Sequence, residues 1–156
     1  MAKAPTRAVQ TLIDAALPHA LQRFQASREH FGEHAAAELG VDPDLILKTL
    51  VISTDQGLAV CCVPVSAQLN LKKAAAALGA RKAGMADPRQ AERATGYVTG
   101  GISPLGQKTP LPTLIDATVE HAAQIYVSGG RRGLDIRLSP THLAQLCGAR
   151  FTDLRR

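Results

Sequence analysis

Residues 95–108 bring four glycines, at positions 96, 100, 101 and 106, into one short segment together with Pro104. Glycine adopts positive φ without strain and lets another group approach the backbone closely, whereas proline fixes φ. Neither a helical nor an alternating apolar pattern runs through the segment. The pattern predicts an ordered loop, called the glycine loop below, whose backbone is shaped to hold a bound group.

The glycine loop does not match the nucleotide-binding motifs. Gly100 and Gly101 are followed neither by the Gly-Lys-Ser/Thr end of a P-loop nor by a third glycine that opens a helix. Ser103 offers a hydroxyl nucleophile, but Pro104 follows it and no base stands near it in the sequence. A nucleotide hydrolase is therefore not indicated, and a serine triad would need partners that only the fold can supply.

Length and apolar content predict one domain over residues 1–156, since 46% of the residues are hydrophobic. No apolar run approaches the roughly 20 residues that cross a bilayer, and the first residues lack the apolar segment of a secretory signal. We therefore expect no membrane partner and a cytoplasmic location. Cys61, Cys62 and Cys147 fit free buried thiols better than a catalytic cysteine, because no activating group is near them in the sequence.

The charge balance favours an anionic partner. The chain carries a formal net charge of +5, and its basic residues fall in scattered doublets such as Lys72-Lys73 and Arg131-Arg132. A solvated surface explains each doublet equally well when it is taken singly. Aromatic residues make up only 3% of the chain, so stacking of successive single-stranded bases is not expected. A folded RNA held by its backbone fits better.

Periodicity and capping signals predict an α/β fold with a mixed, largely antiparallel, open barrel-like sheet covered by helices. The predicted helices cover residues 5–17, 32–39, 70–78, 87–96 and a final one after Ser139-Pro140. The predicted strands cover residues 20–24, 47–54, 58–65, 113–116, 124–128, 134–138 and 150–154. Residues 55–57 and 129–133 are predicted to join strands as hairpin connections.

Metal ligation is not indicated. His30 and His34 are four residues apart, but Gly32 lies between them and no third ligand is evident nearby. Two other charged residues stand in apolar surroundings: Lys48 in residues 45–51 and Asp135 in residues 133–136. The simpler explanation of Lys48 is an edge lysine whose ammonium reaches solvent. The simpler explanation of Asp135 is an outward-facing residue of an alternating strand.

Several segments, in order along the chain, resemble the YbaK/EbsC-type aminoacyl-tRNA deacylases, which are similar to the editing insertion of bacterial prolyl-tRNA synthetases. They are residues 47–51, which contain Lys48, residues 69–79, residues 85–88, the glycine loop, and residues 126–136 with their second glycine turn. The lysine and the two glycine segments together make the resemblance specific.

The resemblance implies hydrolysis of cysteine wrongly attached to tRNA(Pro), with no metal and no cofactor. The low aromatic content leads to the hypothesis that prolyl-tRNA synthetase is a second partner, which supplies the correct tRNA. In this family the substrate's own thiol is thought to attack the ester, so the protein needs only to fix geometry and stabilise the oxyanion. Lys48 would then orient the aminoacyl end or the terminal ribose-phosphate region, while Gly100 and Gly101 would surround the ester carbonyl. The remaining implied site residues are Ser103, Phe24, Thr49, Ile102, Pro104, Ser128, Gly129 and Asp135.

One departure affects the expected substrate. The family segment usually carries a tyrosine with histidines two residues away on each side, whereas this chain has Gln22, Phe24 and Ala26. The loss of a hydroxyl and two imidazoles leaves alanine on tRNA(Pro) as an alternative aminoacyl group. A module that binds tRNA or a synthetase without cleaving the ester is a further alternative.

Overall fold

Strands and capped helices alternate along the computed structural model, which describes residues 4–25 and 36–156. The strands are β1 Ala20–Arg23, β2 Leu47–Thr54, β3 Gly57–Pro64, β4 Ala83–Met85, β5 Thr113–Asp116, β6 Ile125–Arg131, β7 Leu134–Leu138 and β8 Arg150–Thr152. The helices are α1 Arg7–Asp14, α2 Leu71–Ala77, α3 Pro88–Thr95 and α4 Pro140–Cys147, with a 3-10 turn at Ala117–Val119. Residues 36–39 are also helical.

The strands form two sheets. One has the order β4-β2-β3-β5-β8 and the other the order β1-β7-β6. Pairing is antiparallel except for β3 with β5 and β5 with β8, which are parallel. An isolated parallel bridge between Ile46 and Tyr126 joins the sheets, and the Tyr126 amide donates to the carbonyl of Leu45 at 2.9 Å. The start of β2 therefore lies beside β6.

Side-chain caps set the helix starts. Thr6, Asn70, Asp87 and Ser139 each accept a hydrogen bond from a backbone N–H in the first turn of α1, α2, α3 and α4 respectively. Such caps satisfy amides that have no partner within the helix. The main core lies between α1, α4 and one face of β6 and β7, and it includes Leu12, Val127, Ile136 and Leu143.

Comparison with the predicted elements confirms the mixed, largely antiparallel α/β architecture and shows three differences. β4 was not predicted. Gly129 and Gly130 belong to β6, so the β6–β7 turn is narrower than residues 129–133. β5 also pairs in parallel with β3 and β8, whereas antiparallel pairing is the expectation for strands that are neighbours in sequence. Within the predicted helix at 32–39, residues 32–35 lie outside the described residues, as do Ala26, His30 and His34.

In the described part of the chain, the helices are too short or too polar to cross a bilayer.

Candidate functional site

A row of polar residues crosses the three-stranded sheet. Asp135 of β7 pairs with Gln22 of β1 on one side and with Ser128 of β6 on the other. Directly paired residues point to the same face of a sheet. Leu134 and Ile136, the neighbours of Asp135 along β7, are fully buried in the main core. The row therefore lies on the sheet face that is turned away from this core.

Asp135 is the buried acid of this row. It is only 6% exposed, and burial raises the pKa of its carboxyl to about 7. A carboxylate removed from water is costly unless a cation or hydrogen-bond donors compensate it. A cation placed beside Asp135 would therefore lower the free energy of its ionised form.

Lys48 lies on the strand next to this row. A parallel bridge joins Ile46 to Tyr126. Lys48 lies two residues after Ile46, and Ser128 lies two residues after Tyr126. Because side chains alternate along a strand, the side chains of Lys48 and Ile46 share one face of β2, and Leu47 points to the main core. Lys48 and the row of Asp135 are thereby brought to adjoining strands.

Thr49 points the other way. It pairs with Cys62 of β3, which belongs to the main core, and its hydroxyl oxygen is buried. Adjacent strand residues face opposite sides of the sheet, so the Thr49 side chain does not share the Lys48 face. The Thr49 side chain therefore lies on the main-core side of β2, and its contact with substrate stays a prediction.

A tight turn forms the tip of the glycine loop. The Gly101 amide donates to the Val98 carbonyl at 2.9 Å, and Gly100 has φ of +87°. This geometry matches a type II turn, whose third position requires positive φ. The Gly101 amide is therefore used inside the loop. In the described residues, the Gly100 and Ile102 amides have no acceptor, so they are the donors that a ligand can meet.

Gly101 packs against the end of β6. A Cβ placed on Gly101 would lie 2.7 Å from the Cα of Arg131, a separation that real side chains do not reach. The Arg132 side chain donates from Nε to the Thr99 carbonyl at 2.9 Å. These contacts join the glycine loop to the same strand that carries Ser128, three residues before Arg131.

The second half of the glycine loop is anchored in the interior. Ser103 is fully buried, and its hydroxyl oxygen accepts from the Leu105 amide at 3.2 Å. The Cys147 thiol donates to the Pro104 carbonyl at 3.2 Å, and the Tyr97 hydroxyl donates to the Leu105 carbonyl. Ile102 packs against the main core. The Ile102 and Ser103 side chains and the Pro104 carbonyl thus fix the shape of the loop.

Gly129 and Phe24 occupy the two flanks of the row. A Cβ on Gly129 would lie 2.7 Å from Cγ of Leu134, and the Gly129 carbonyl accepts from the hydroxyl of Thr6. Phe24 is half-buried, and its amide extends the pairing of β1 by donating to the Gly133 carbonyl at 3.0 Å. Gly129 therefore serves close packing, and Phe24 continues the strand that carries Gln22.

Three contributors were not predicted as part of the site. Thr6 ties α1 to β6, Glu92 accepts from the Thr99 amide at 2.7 Å, and Arg132 holds the Thr99 carbonyl. The doublet Arg131-Arg132 was visible in the sequence as charge, but its contact with a loop 33 residues away was not. This contact depends on how distant segments pack together in the fold, which the local sequence does not show.

Other chemistry finds less support. Within residues 4–25 and 36–156, no group of three or more His, Cys, Asp or Glu side chains is arranged to hold a metal ion. Burial raises the pKa of both Cys61 and Cys147 to about 12 and raises that of Cys62 as well. A groove of about 390 Å³ at residues 53–55 and 82–84 contains none of the predicted site residues.

Comparison with known proteins connects this geometry to a family. The aminoacyl-tRNA editing domain matches residues 30–146, three quarters of the chain. The chain belongs to the aminoacyl-tRNA editing domain family. Its match includes Lys48, the glycine loop and the row of Ser128 and Asp135.

Relatives of this editing domain include freestanding and synthetase-linked proteins. EbsC of Enterococcus faecalis, a candidate Cys-tRNA(Pro)/Cys-tRNA(Cys) deacylase, is 33% identical over 96% of this chain and 92% of its own length. The proline–tRNA ligase of Shouchella clausii is 32% identical over 65% of this chain, which spans only 18% of that enzyme. The crystal structure of a candidate trans-editing enzyme for prolyl-tRNA synthetase superposes with a TM-score of 0.84 at 26% identity, covering 99% of both chains.

Proposed function

We propose that this editing-domain protein hydrolyses the ester of mischarged tRNA, with cysteine on tRNA(Pro) as the preferred substrate. The observation that supports this most directly is the position of Lys48 beside the row of Ser128 and buried Asp135, with the glycine loop packed against the same strand. The similarity to EbsC, which spans nearly the whole chain, supports the same substrate.

Asp135 binds the α-ammonium group of the aminoacyl moiety in this proposal. Its carboxyl lies in a site that disfavours an isolated negative charge, so an arriving cation is stabilised and in turn lowers the pKa of Asp135. Ser128 lies directly across from Asp135 and adds a hydroxyl beside the same group. Binding the ammonium fixes the direction in which the ester carbonyl points.

Lys48 and the glycine loop act on the ester itself. The Lys48 ammonium orients the carbonyl or the adjacent ribose, and the amides of Gly100 and Ile102 stabilise the negative charge that develops on the carbonyl oxygen. Each such donor contributes roughly 3–4 kcal/mol when it is preorganised. A loop whose tip is fixed by contacts with Arg131 and Arg132 is suited to that task.

The substrate supplies the nucleophile in the cysteinyl case. The cysteinyl sulfur bonds to its own carbonyl carbon, the bond from that carbon to the ribose oxygen breaks, and the ribose oxygen takes the thiol proton. The products are free tRNA and a cysteine thiolactone, which water then opens to cysteine. Holding the sulfur close to the carbonyl replaces a bimolecular step by an intramolecular one, which can contribute about 7–11 kcal/mol.

A second aminoacyl group is favoured by one observation. Gln22 pairs directly with Asp135, and Gln22 and Phe24 stand where the resembled family has histidine and tyrosine. The residues beside the buried carboxyl therefore differ from the family pattern, and alanine on tRNA(Pro) is the alternative substrate. Alanine has no thiol, so its removal needs a water nucleophile.

Deacylation of a panel of aminoacyl-tRNAs tests the proposal. Cysteinyl-tRNA(Pro) is expected to be cleaved fastest, with alanyl-tRNA(Pro) and seryl-tRNA(Pro) as comparisons and correctly charged prolyl-tRNA(Pro) as the control. Faster loss of alanine than of cysteine selects the alternative. If tRNA binds but every ester survives a large excess of protein, the chain is a binding module.

Recognition of tRNA(Pro) itself is proposed to depend on prolyl-tRNA synthetase. The chain aligns with only 18% of a proline–tRNA ligase, so most of that enzyme has no counterpart here. Adding the synthetase is expected to increase the preference for tRNA(Pro) over other cysteinylated tRNAs. Equal preference with and without the synthetase would show that the domain selects its tRNA alone. A substrate of this kind also leads us to expect the cytoplasm as the location.

A further inference from the structure

Basic side chains surround the glycine loop on several elements. They come from the loop itself, from α3 directly before it, from α1, and from the β6–β7 turn that packs against it. All are exposed, and together they form what is called the cationic rim below: Arg7, Arg89, Arg93, Lys108, Arg131 and Arg132.

Contacts within the loop show that the rim is one surface. A Cβ on Gly96 would lie 3.3 Å from the Lys108 Cβ and 3.8 Å from the Arg7 guanidinium, so two cations flank the start of the loop. Arg131 and Arg132 contact its tip through Gly101 and Thr99. Elements that are distant in sequence thus bring their positive charges to one side of the fold.

One carboxylate in this region, Glu92, is already engaged. Glu92 accepts from the Thr99 amide at 2.7 Å, and this bond, together with Arg132 and Arg89, lowers the pKa of its carboxyl. Glu92 therefore holds the loop and offsets only part of the positive charge. Val98, beside this bond at the tip of the loop, is 55% exposed. A partner that carries phosphates suits such a cationic surface, and Val98 adds an apolar contact at its tip.

The rim adjoins the candidate site. Ser128 and Arg131 are three residues apart on β6, which corresponds to at most about 10 Å along a strand. That distance equals the rise of about three nucleotides in a duplex. A nucleic acid whose 3′ end lies beside Ser128 and that runs toward the glycine loop therefore reaches the rim within its next few phosphates.

We propose that the cationic rim binds the backbone phosphates of the tRNA acceptor end whose aminoacyl group occupies the site of Lys48 and Asp135. This inference rests on the proposed function for the position of the aminoacyl group, but the binding itself does not require hydrolysis. The rim is the nucleic-acid surface of the domain, and its contacts are electrostatic and independent of sequence.

A matched pair of triple variants tests the rim. The rim variant combines Arg93→Gln, Lys108→Gln and Arg131→Gln, which removes three charges of the rim and leaves the Arg132 contact to Thr99 in place. The control variant combines Lys72→Gln, Arg81→Gln and Lys82→Gln, which removes the same charge from exposed positions at and after α2. The measurement is the affinity for uncharged tRNA as a function of salt concentration, with thermal melting to verify that both variants are folded.

The rim variant is expected to bind tRNA at least about tenfold more weakly at 0.1 M salt and to reduce the slope of log affinity against log salt by about 2. The control variant is expected to change affinity less than about twofold. Equal losses in the two variants, or unchanged binding in the rim variant, overturn the proposal. Retained tRNA binding with lost binding to prolyl-tRNA synthetase overturns it in favour of a protein-binding surface.

An aminoacylated adenosine, which carries the ester but no backbone phosphate, separates this inference from the proposed function. If the rim variant loses turnover on full aminoacyl-tRNA but keeps it on the aminoacylated adenosine, the rim is confirmed as a backbone contact outside the chemical site. Equal loss on both substrates overturns it. If the parent protein cleaves neither substrate while the rim variant alone loses tRNA affinity, the proposed function fails and the rim stands.

Discussion

The backbone of Gly101 lies so close to Arg131 that an added Cβ would be 2.7 Å from the Cα of Arg131 and 2.9 Å from its carbonyl carbon. Both sides of this contact are main chain, so neither can rotate away. The position of the loop tip relative to β6 is therefore set by the absence of a side chain at residue 101.

Gly101→Ala is expected to displace the loop tip and to lower kcat/KM for deacylation about 100-fold, since a shift of about 1 Å in a positioning group can have this effect. The control is Gly79→Ala, because Gly79 has φ of +69° but nothing within 4 Å of an added Cβ. It is expected to cost about 1 kcal/mol of stability from backbone strain, with activity retained. Equal kcat/KM in Gly101→Ala and Gly79→Ala would show that catalysis does not depend on the contact between Gly101 and Arg131.

Lys48→Ala is expected to lower the deacylation rate by at least about 100-fold, because the ester loses a positioned cation. Lys48 is half-buried at the start of β2, so folding is expected to survive the truncation. Melting temperature and single-turnover rate measure the two effects separately. Lys72→Ala, at an exposed position of α2, serves as the charge-matched control. Unchanged turnover in Lys48→Ala would remove this residue from the proposed mechanism.

Asp135 is expected to make stability depend on pH. Because burial raises its pKa from 3.8 to about 7, the folded state holds the proton more tightly than the unfolded chain does. The free energy of unfolding therefore falls as pH rises from about 4 to about 7, by up to about 4 kcal/mol. Asp135→Asn should remove this fall while retaining the shape of the side chain. Urea unfolding at pH 5 and pH 8 gives the free energy of unfolding of both proteins. The prediction is contradicted if this free energy changes equally between the two pH values in the parent protein and in Asp135→Asn.

Asp116 is expected to be essential for stability and dispensable for chemistry. Its fully buried carboxylate accepts from the Leu154 amide at 2.9 Å and from Thr118, and it lies 3.5 Å from Nε of Arg155. Asp116→Ala leaves these donors without an acceptor and should cost about 2–4 kcal/mol. Chemical denaturation gives the loss, and the folded fraction should keep its activity per molecule. A loss below 1 kcal/mol would show that water replaces the carboxylate.

The cysteines are expected to be inert in the folded protein. Burial raises the pKa of the Cys61 and Cys147 thiols to about 12, so almost no thiolate forms at pH 8. Iodoacetamide should modify Cys61, Cys62 and Cys147 slowly in buffer and rapidly in denaturant, as read by intact mass. Cys147→Ser, which keeps a donor to the Pro104 carbonyl, should keep deacylase activity. Rapid alkylation together with loss of activity would instead indicate a nucleophilic cysteine.

Local signals predicted most of the helices and strands. Thr6, Asn70 and the Asp87-Pro88 and Ser139-Pro140 pairs start helices where the side chains cap them, because capping is decided within three or four residues. β4 was missed because Ala-Gly-Met carries no β-branched residue and pairs only with the far end of β2.

The site was harder to predict than the fold, since it depends on register between distant strands. Periodicity placed Lys48 and Asp135 on strands, but only the pairing of β6 with β7 and the bridge at Ile46 bring their strands side by side. The pairing of β2 with β3 places Thr49 opposite Cys62 on the main-core side, whereas the sequence did not show which face of β2 meets that core. The roles of the individual residues stay predictions until the variants are measured.

The contact between Asp116 and Leu154 also bears on the order of folding. The two residues are 38 positions apart, and the acid has to stay hydrated until the later segment arrives. An intermediate with β5 formed and β8 absent lacks the Leu154 amide, so burial of the Asp116 charge at that stage is disfavoured. Docking of the outer strand and burial of the acid are thus expected to occur as one cooperative event.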